Sequence, residues 1–126
     1  MGFAPGELLL EVGHGPDSDE RLRDAISSIT GTKFLEGSAD EVVDAVLLWW
    51  RDGDGDLVDE LVDALTYLSD TGAIWILTPK LGRDGHVDPS DIQDAVPTVG
   101  LSQTSTLAVA PDWSATRCVA RKSVKR

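Results

Sequence analysis

The chain has 126 residues, 41% of them hydrophobic and 26% charged, which fits one small globular domain and excludes intrinsic disorder. Its formal net charge of −11 disfavours contact with the phosphates of a nucleic acid, so we expect no nucleic-acid partner. The longest unbroken apolar run, from Ala45 to Trp50, is far shorter than the ~20 residues of a membrane span, so no membrane contact is expected.

The first part of the chain predicts two strands around an amphipathic helix. The apolar run 8–12, closed by the turn Gly13-His14-Gly15-Pro16, predicts a buried first strand. Apolar residues then recur at helical spacing over 22–29, behind aspartate and serine residues that can cap the helix. Residues 33–36 predict a second strand, and residues 38–43 a short helical turn.

The middle of the chain predicts the centre of a sheet. Residues 43–50 form a nearly continuous apolar run, of the kind that is buried on both faces of a parallel sheet. Residues 57–68 keep helical spacing, with Asp54 or Asp56 placed as the N-cap. Residues 73–78 then predict another buried strand.

After this strand the pattern predicts a polar loop and a short helix. Pro79 ends the strand and opens the loop 80–86. Asp88 is placed to cap a helix that has Pro89 at its first position. We expect that helix to end before Pro97.

Two β-like stretches, 102–110 and 116–121, are separated by the turn 111–114 and predict an antiparallel hairpin. The element order is therefore β-α-β-(α)-β-α-β-α-β-β, and such alternation implies right-handed parallel crossovers. We predict an α/β fold with a doubly wound, mostly parallel sheet of about six strands, closed by this C-terminal hairpin.

Several of these features together resemble class I methyltransferases, a Rossmann-like family that binds S-adenosylmethionine. They are the glycine turn, the acids at strand ends, the long helix before Gly72-Ala73-Ile74-Trp75 and the closing hairpin. The resemblance implies that Gly13-His14-Gly15 begins a nucleotide-binding loop and that Glu36 takes the place of the ribose-binding acid. Asp17-Ser18-Asp19 stands where the family's loop has another glycine, and little room follows Glu36 for an adenine-binding strand. The predicted fold is therefore a shortened one.

A more specific resemblance covers nearly the whole chain. The stretches 42–59 and 78–87, with the segments 103–105 and 112–117, are similar to DUF3052, an actinobacterial domain-of-unknown-function family. This resemblance implies a small cytoplasmic actinobacterial protein and supplies no reaction.

Cysteine content and charge distribution complete the outline. Cys118 is the only cysteine, which excludes an internal disulfide, favours a cytoplasmic location and is typical of a buried, inert thiol. Residues 1–70 carry seventeen acidic against four basic side chains, and residues 71–126 five against seven. We expect residues 1–120 to form a single Rossmann-like domain and residues 121–126 a short basic tail.

Ligands of open α/β sheets bind at the carboxyl ends of the strands, where four loops of this chain are predicted to lie. These loops are 13–17, 36–38, 49–54 and 78–86. The candidate ligand-binding residues on them are Gly13, His14, Gly15, Glu36, Trp50, Arg51, Lys80, Arg83, Asp84 and His86.

The first and third loops each have a structural alternative. Two glycines before a helix can present backbone N–H groups to an anion, but Asp17 and Asp19 already compensate the helix dipole and oppose a phosphate. A plain strand-to-helix connection therefore explains the turn better than a nucleotide site does. Trp49 and Trp50 must face opposite sides of one strand, so each either packs in the core or floors a pocket beside Arg51.

The loop 80–86 is cationic on an acidic chain, which favours an anionic ligand or an acidic partner segment. His86 can act as an acid or base near neutral pH, and His14 can approach it from the first loop. A surface loop held by Asp84 pairing with Arg83 or Lys80 explains these residues better than catalysis does. No nucleophile has triad spacing, so we predict no catalytic residue.

Asp52, Asp54 and Asp56 alternate like the opening of a calcium loop. Leu57 stands where that loop needs its glycine, so helix capping explains the aspartates better and no metal site is predicted.

Two functions remain open. The favoured hypothesis is a non-catalytic methyltransferase-like module that acts through contact with a protein partner and needs no cofactor. The alternative is a small enzyme or sensor that binds S-adenosylmethionine or another nucleotide at the glycine turn, with the loop 80–86 on the substrate side. The exposed edge of the closing hairpin also makes a homodimer possible.

Overall fold

The computed structural model describes residues 2–35 and 42–120 of the chain. Glu36, residues 38–41 of the predicted helical turn and the predicted tail 121–126 lie outside these ranges. Three helices pack on a five-stranded sheet within them. In chain order the elements are β1 (Leu9–Val12), α1 (Glu20–Thr30), β2 (Val43–Trp49), α2 (Leu57–Leu65), β3 (Leu68–Pro79), α3 (Pro89–Thr98), β4 (Leu101–Ala108) and β5 (Trp113–Ala120).

The sheet is mixed, with the strand order β1-β2-β3-β5-β4. β1, β2 and β3 run parallel, while β5 is antiparallel to both of its neighbours, β3 and β4. The predicted α/β class and the antiparallel pairing of the last two strands are confirmed. β5 lies inside the sheet and β4 at its edge, because the crossover through α3 leaves one strand position free and β5 returns to fill it.

The prediction of about six strands is wrong for the described residues. The stretch predicted as the second strand contributes a single bridge, in which Leu35 pairs with Leu10. Only two backbone hydrogen bonds, of 2.8 and 2.9 Å, join Leu35 to β1. A ladder this short orders one residue beside the sheet and does not make a strand.

The ends of two other elements also differ from the prediction. α2 ends at Leu65 and β3 begins at Leu68, so Gly72 lies inside β3 where its ladder to β2 is irregular. α3 continues through Pro97 to Thr98. A proline this close to the helix end removes one late hydrogen bond only, so it is tolerated there.

Apolar side chains on both faces of the sheet form two cores. α2 and α3 cover one face and α1 covers the other. As predicted from strand alternation, Trp50 belongs to the first core and Trp49 to the second, where Trp49 meets Trp113 edge to face at a centroid distance of 4.8 Å. Among the described residues, no helix has both the length and the apolar character needed to cross a membrane.

Candidate functional site

The glycine turn after β1 lies directly against the end of β2. Gly13 has a φ of 79°, and a Cβ atom at this position would stand 2.3 Å from the carbonyl oxygen of Trp49. Only glycine therefore allows the turn to approach β2 this closely. The close approach is between two segments of the protein, and it accounts for this glycine without a ligand.

The backbone of the turn is closed by its own hydrogen bonds. The Gly15 N–H donates to Ser18 Oγ, and the Ser18 N–H donates to the Gly15 carbonyl oxygen, both at 3.0 Å. Asp19 caps α1 by accepting a hydrogen bond from the Leu22 N–H at 2.9 Å. The donors that a bound anion would use are in part already engaged within the turn.

Arg51, the second residue after β2, reaches across to this turn. Its Nε and Nη2 atoms donate to the two carboxylate oxygens of Asp17 at 2.9 and 2.6 Å, and its Nη1 donates to the Gly13 carbonyl oxygen at 2.7 Å. The Arg51 side chain is only 16% exposed, and its guanidinium carbon lies 5.3 Å from the ring centroid of Trp113. Arg51 therefore ties the glycine turn, β2 and β5 together.

Hydrogen bonding within this pair favours both charged forms. Its bond to Arg51 lowers the pKa of Asp17, and the same bond raises the pKa of the Arg51 guanidinium. The pair is bidentate, the strongest geometry that an arginine and a carboxylate can adopt. The glycine turn is thus electrostatically suited to a cation, and the protein supplies that cation itself.

A cavity of about 430 Å³ remains beside Arg51. The structure brings five of the predicted ligand-binding residues to its walls, namely Gly13, His14, Gly15, Trp50 and Arg51. Glu60 and Asp54 also line it. Asp54 lies 3.6 Å from Arg51 Nη1, so Glu60 is the acidic side chain of this lining that is not paired with Arg51. His14 donates a hydrogen bond to Glu20 at 2.7 Å, and this bond lowers the pKa of Glu20.

A second carboxylate lies below the turn and is not among the predicted ligand-binding residues. Glu11 of β1 has a side chain only 7% exposed and accepts hydrogen bonds from Arg23 Nε and Nη2 at 2.6 and 2.7 Å. The indole Nε1 of Trp49 donates to the same carboxylate at 2.9 Å. Three donors occupy Glu11, and this hydrogen bonding raises the pKa of Arg23. The carboxylate anchors α1 to the sheet.

The loop 80–86 contributes no residue to the lining of this cavity, although its Gly85 carbonyl oxygen accepts a hydrogen bond from the Asp52 N–H at 2.9 Å, next to Arg51. Arg83 pairs with Asp112 of the β4–β5 turn at 2.7 Å, so the predicted pairing of Asp84 with Arg83 or Lys80 is not found in the described part of the chain. The Lys80 N–H also donates to the Asp112 carbonyl oxygen, at 2.9 Å. The acid that anchors the loop is therefore 29 positions distant from Arg83 rather than adjacent to it.

His86 and Lys80 line a separate, smaller cavity of about 170 Å³. His86 Nδ1 lies 2.9 Å from the Pro79 carbonyl oxygen, and because a carbonyl only accepts, Nδ1 carries the proton. His14 and His86 line different cavities, so the structure does not bring the two histidines to one site.

Two of the alternating aspartates accept hydrogen bonds from the backbone, and one of them caps a helix. Asp56 is the N-cap of α2 and accepts from the Val58 N–H at 2.9 Å, while Asp54 accepts from the Arg51 N–H at 3.0 Å. The predicted capping role is confirmed for Asp56. Within residues 2–35 and 42–120, no three histidine, cysteine or acidic side chains are grouped as a metal site would require.

Comparison with known proteins places the chain in a family. The model of the family described as "Protein of unknown function (DUF3052)" matches residues 1–122. The chain belongs to the DUF3052 family. Uncharacterized proteins of Mycobacterium bovis and Mycobacterium tuberculosis are 48% identical to it over 123 residues, covering 98% of this chain and 77% of theirs.

Solved structures similar to this DUF3052 protein include methyltransferases. A putative methyltransferase from Thermoplasma acidophilum has a TM-score of 0.63 at 12% identity, covering 95% of this chain and 70% of its own. A SAM-dependent methyltransferase from Aquifex aeolicus has a TM-score of 0.60 at 12% identity, with 93% and 84% covered. At such identities the likeness shows the fold alone, and the predicted methyltransferase-like fold is confirmed.

Sequence reasoning selected Arg51 as a candidate but missed its partner in this DUF3052 protein. Asp17 was interpreted only as a charge that compensates the helix dipole. The one signal available was the isolation of Arg51, the sole basic residue between Lys33 and Lys80. A lone, half-buried cation in an acidic chain needs a carboxylate partner, although the sequence does not say which one.

Proposed function

We propose that this protein is a non-catalytic methyltransferase-like module of the cytoplasm that acts through contact with a protein partner. The observation that carries the proposal is the bidentate bond between Arg51 and Asp17 across the glycine turn. In the methyltransferases that the sequence resembles, this turn begins the nucleotide-binding loop. Here the turn is bound by a side chain of the protein itself, that of Arg51.

A nucleotide entering this turn would have to displace Arg51. Breaking a charged, bidentate hydrogen bond costs about 1–3 kcal/mol, and the lower end applies because the Asp17 side chain is 54% exposed. Displacement would also leave Asp17 unpaired beside the incoming ligand, which for a phosphate-bearing nucleotide adds repulsion between like charges. Both effects oppose binding.

Calorimetric titration with S-adenosylmethionine, its demethylated product, NAD and ATP tests the proposal. We expect no heat of binding from the wild-type protein for any of the four. A SAM-dependent methyltransferase of the same fold, titrated with the same S-adenosylmethionine stock, controls for the quality of the ligand. Micromolar binding of any of the four to the wild-type protein, with NMR shift changes at the Gly13 and Gly15 amides, would overturn the proposal.

The cavity of about 430 Å³ beside Arg51 favours a second candidate, an S-adenosylmethionine- or nucleotide-binding enzyme or sensor. Its volume lies within the ~300–1,000 Å³ of small-molecule pockets. On this alternative Arg51 swings away from Asp17 when ligand enters, so Arg51→Ala should bind at least as tightly as the wild type. If neither the wild type nor Arg51→Ala binds any of the four ligands, the result favours the non-catalytic module over the ligand-binding alternative.

A further inference from the structure

The small cavity of about 170 Å³ lies between the end of β3, the start of α3 and the hairpin of β4 and β5. Its wall on the α3 side is apolar and is formed by Val87, Pro89 and Ile92. The residues of β3 and β5 on its other wall share a hydroxyl group, and they are Thr78, Ser114 and Thr116. The cavity therefore combines an apolar wall with a row of hydroxyls.

The register of the strands fixes the direction of these hydroxyl side chains. Thr116 of β5 lies opposite Ile76 of β3, and Ser114 lies opposite Thr78. Opposed residues of neighbouring strands share a face of the sheet, and so do residues two apart on one strand. Ile76 and Cys118 belong to the core that α2 and α3 cover. The three hydroxyl residues therefore point toward α3, into the cavity that they line.

The hydroxyls of Thr78 and Thr116 have no partner in the protein. The two residues are 6% and 3% exposed, and neither side chain makes a hydrogen bond within the described residues. By contrast, the buried hydroxyls of Ser18 and Thr30 each have a protein partner within 3.1 Å. The oxygens of Thr78 and Thr116 are not sealed in the interior as the unpaired Ser69 hydroxyl is. Two buried residues thus keep free hydroxyls that open into the cavity, where a ligand can use them.

The lining is cationic although the chain is acidic. The chain has 22 acidic against 11 basic side chains, yet neither aspartate nor glutamate lines this cavity within the described residues. Lys80 lines it and makes no ion pair in residues 2–35 and 42–120. Two neighbouring acids are engaged elsewhere, since Asp88 caps α3 and Asp112 pairs with Arg83. An unpaired lysine beside free hydroxyls favours an anionic ligand.

We propose that this cavity binds a small aliphatic carboxylate. The hydroxyls donate to the carboxylate oxygens, Lys80 supplies the compensating charge, and the apolar wall packs against a short alkyl chain. Of the predicted ligand-binding residues on the loop 80–86, Lys80 and His86 line the site, whereas Arg83 is held by Asp112. The proposal goes beyond the proposed function, because it uses neither the glycine turn nor a protein partner.

The size and charge of the cavity select a carboxylate of a few carbon atoms. At ~30 Å³ for each water molecule, the 170 Å³ volume equals about five or six waters, so the ligand has about as many non-hydrogen atoms. A nucleotide needs a pocket of ~300–1,000 Å³ and does not fit. Inorganic phosphate fits by size, but it brings nearly two negative charges to one lysine and leaves the apolar wall without a partner. Propionate matches all three properties.

NMR titration of the ¹⁵N-labelled protein with sodium propionate tests the proposal. Propanamide, which has the same shape without the charge, is the matched control, sodium chloride keeps the ionic strength constant, and sodium phosphate tests for a phosphate site. We expect saturable shift changes at the amides of Lys80, Ser114 and Thr116. A Kd of about 1 mM is appropriate for a ligand of this size. Propanamide and phosphate should bind at least tenfold more weakly.

Two pairs of variants test the residues. Thr116→Val keeps the shape without the hydroxyl and should weaken propionate binding about tenfold, whereas Thr116→Ser should stay within about threefold of the wild type. Because the hydroxyl has no protein partner, Thr116→Val should not lower Tm, which a purely structural hydroxyl would do. Lys80→Gln should also bind about tenfold more weakly. Lys33→Gln is its control, since Lys33 is exposed and outside the cavity, and should change the affinity less than about twofold.

Three results would overturn the proposal. They are no saturable shift with propionate, propanamide or phosphate binding as tightly as propionate, and equal affinities of Lys80→Gln and Lys33→Gln. Thermal melts check that each variant folds, and if Thr116→Val does not fold, the lysine pair still decides. The nucleotide titrations have no bearing on this result, since none of the four ligands fits the cavity.

Discussion

Replacing Arg51 with alanine should destabilise the protein much more than the removal of an exposed surface charge. The change deletes the bidentate bond to Asp17, the bond to the Gly13 carbonyl oxygen and the contact with the face of Trp113. At about 1 kcal/mol for each hydrogen-bonded contact and about 0.5 kcal/mol for the cation–π contact, we expect a loss of about 2–3 kcal/mol. Each kcal/mol lowers Tm by about 3–5 °C in a domain of this size.

Urea unfolding followed by tryptophan fluorescence measures the loss. Arg21→Ala is the matched control, since Arg21 is an exposed arginine of α1 and its removal changes the net charge equally. Arg51→Lys retains the charge but not the bidentate geometry, and should recover less than half of the loss. The reasoning fails if Arg51→Ala costs no more than Arg21→Ala.

In the Arg51→Ala variant, the free energy of unfolding should also depend less strongly on pH below neutrality. Because its bond to Arg51 lowers the pKa of Asp17 below the ordinary value of 3.8, the pair stabilises the fold above that value. This contribution is lost as the pH falls through the lowered pKa of the folded state. The free-energy difference between wild type and Arg51→Ala should therefore shrink between neutral pH and about pH 3, and a constant difference would exclude the Asp17 pair as its source.

Three further variants or reagents probe single contacts. Gly13→Ala should lower the free energy of unfolding by more than about 2 kcal/mol, because its Cβ would stand 2.3 Å from the Trp49 carbonyl oxygen. Gly53→Ala is the control: Gly53 has a φ of 93° and open space around it, so denaturant titration should show a loss of only about 1 kcal/mol. Burial raises the pKa of Cys118 to about 12, so a thiol reagent at neutral pH should modify it only in denaturant, and rapid labelling of the native protein would contradict this. Asp88→Ala removes the N-cap of α3 and should cost about 1 kcal/mol, with Asp88→Asn nearly neutral by the same measurement.

Much of the fold could be predicted from short-range patterns. Continuous apolar runs predicted β2 and half of β3, and helical spacing predicted α1 and α2. Asp88 was predicted as the cap of α3, and Asp54 or Asp56 as the cap of α2. The prediction failed where the local signal was short. The predicted strand 33–36 has strand-like composition, but within the described residues it pairs with β1 through one bridge, at Leu35, and composition does not determine how far such a pairing extends.

The candidate site was predicted only in part, because its decisive contacts are between distant residues. The sequence placed Gly13, Gly15, Trp50 and Arg51 at one sheet edge, and the structure brings them to one cavity. It did not predict that His86 would line a different cavity. Loops at the same edge of a sheet can still point to different faces, and composition carries no information on which face they take.

The sequence by itself determined the element order apart from the predicted second strand, the two-sided burial of the central strands and the acidic composition of the chain, since each depends on neighbouring residues or on composition. Tertiary structure alone decided that Arg51 bonds to Asp17, 34 positions away, and that the Trp113 indole donates to the Asp17 carbonyl oxygen, 96 positions away. Such partners are selected by the register of the strands and the angle of each turn. These are properties of the whole sheet, and no local pattern encodes them.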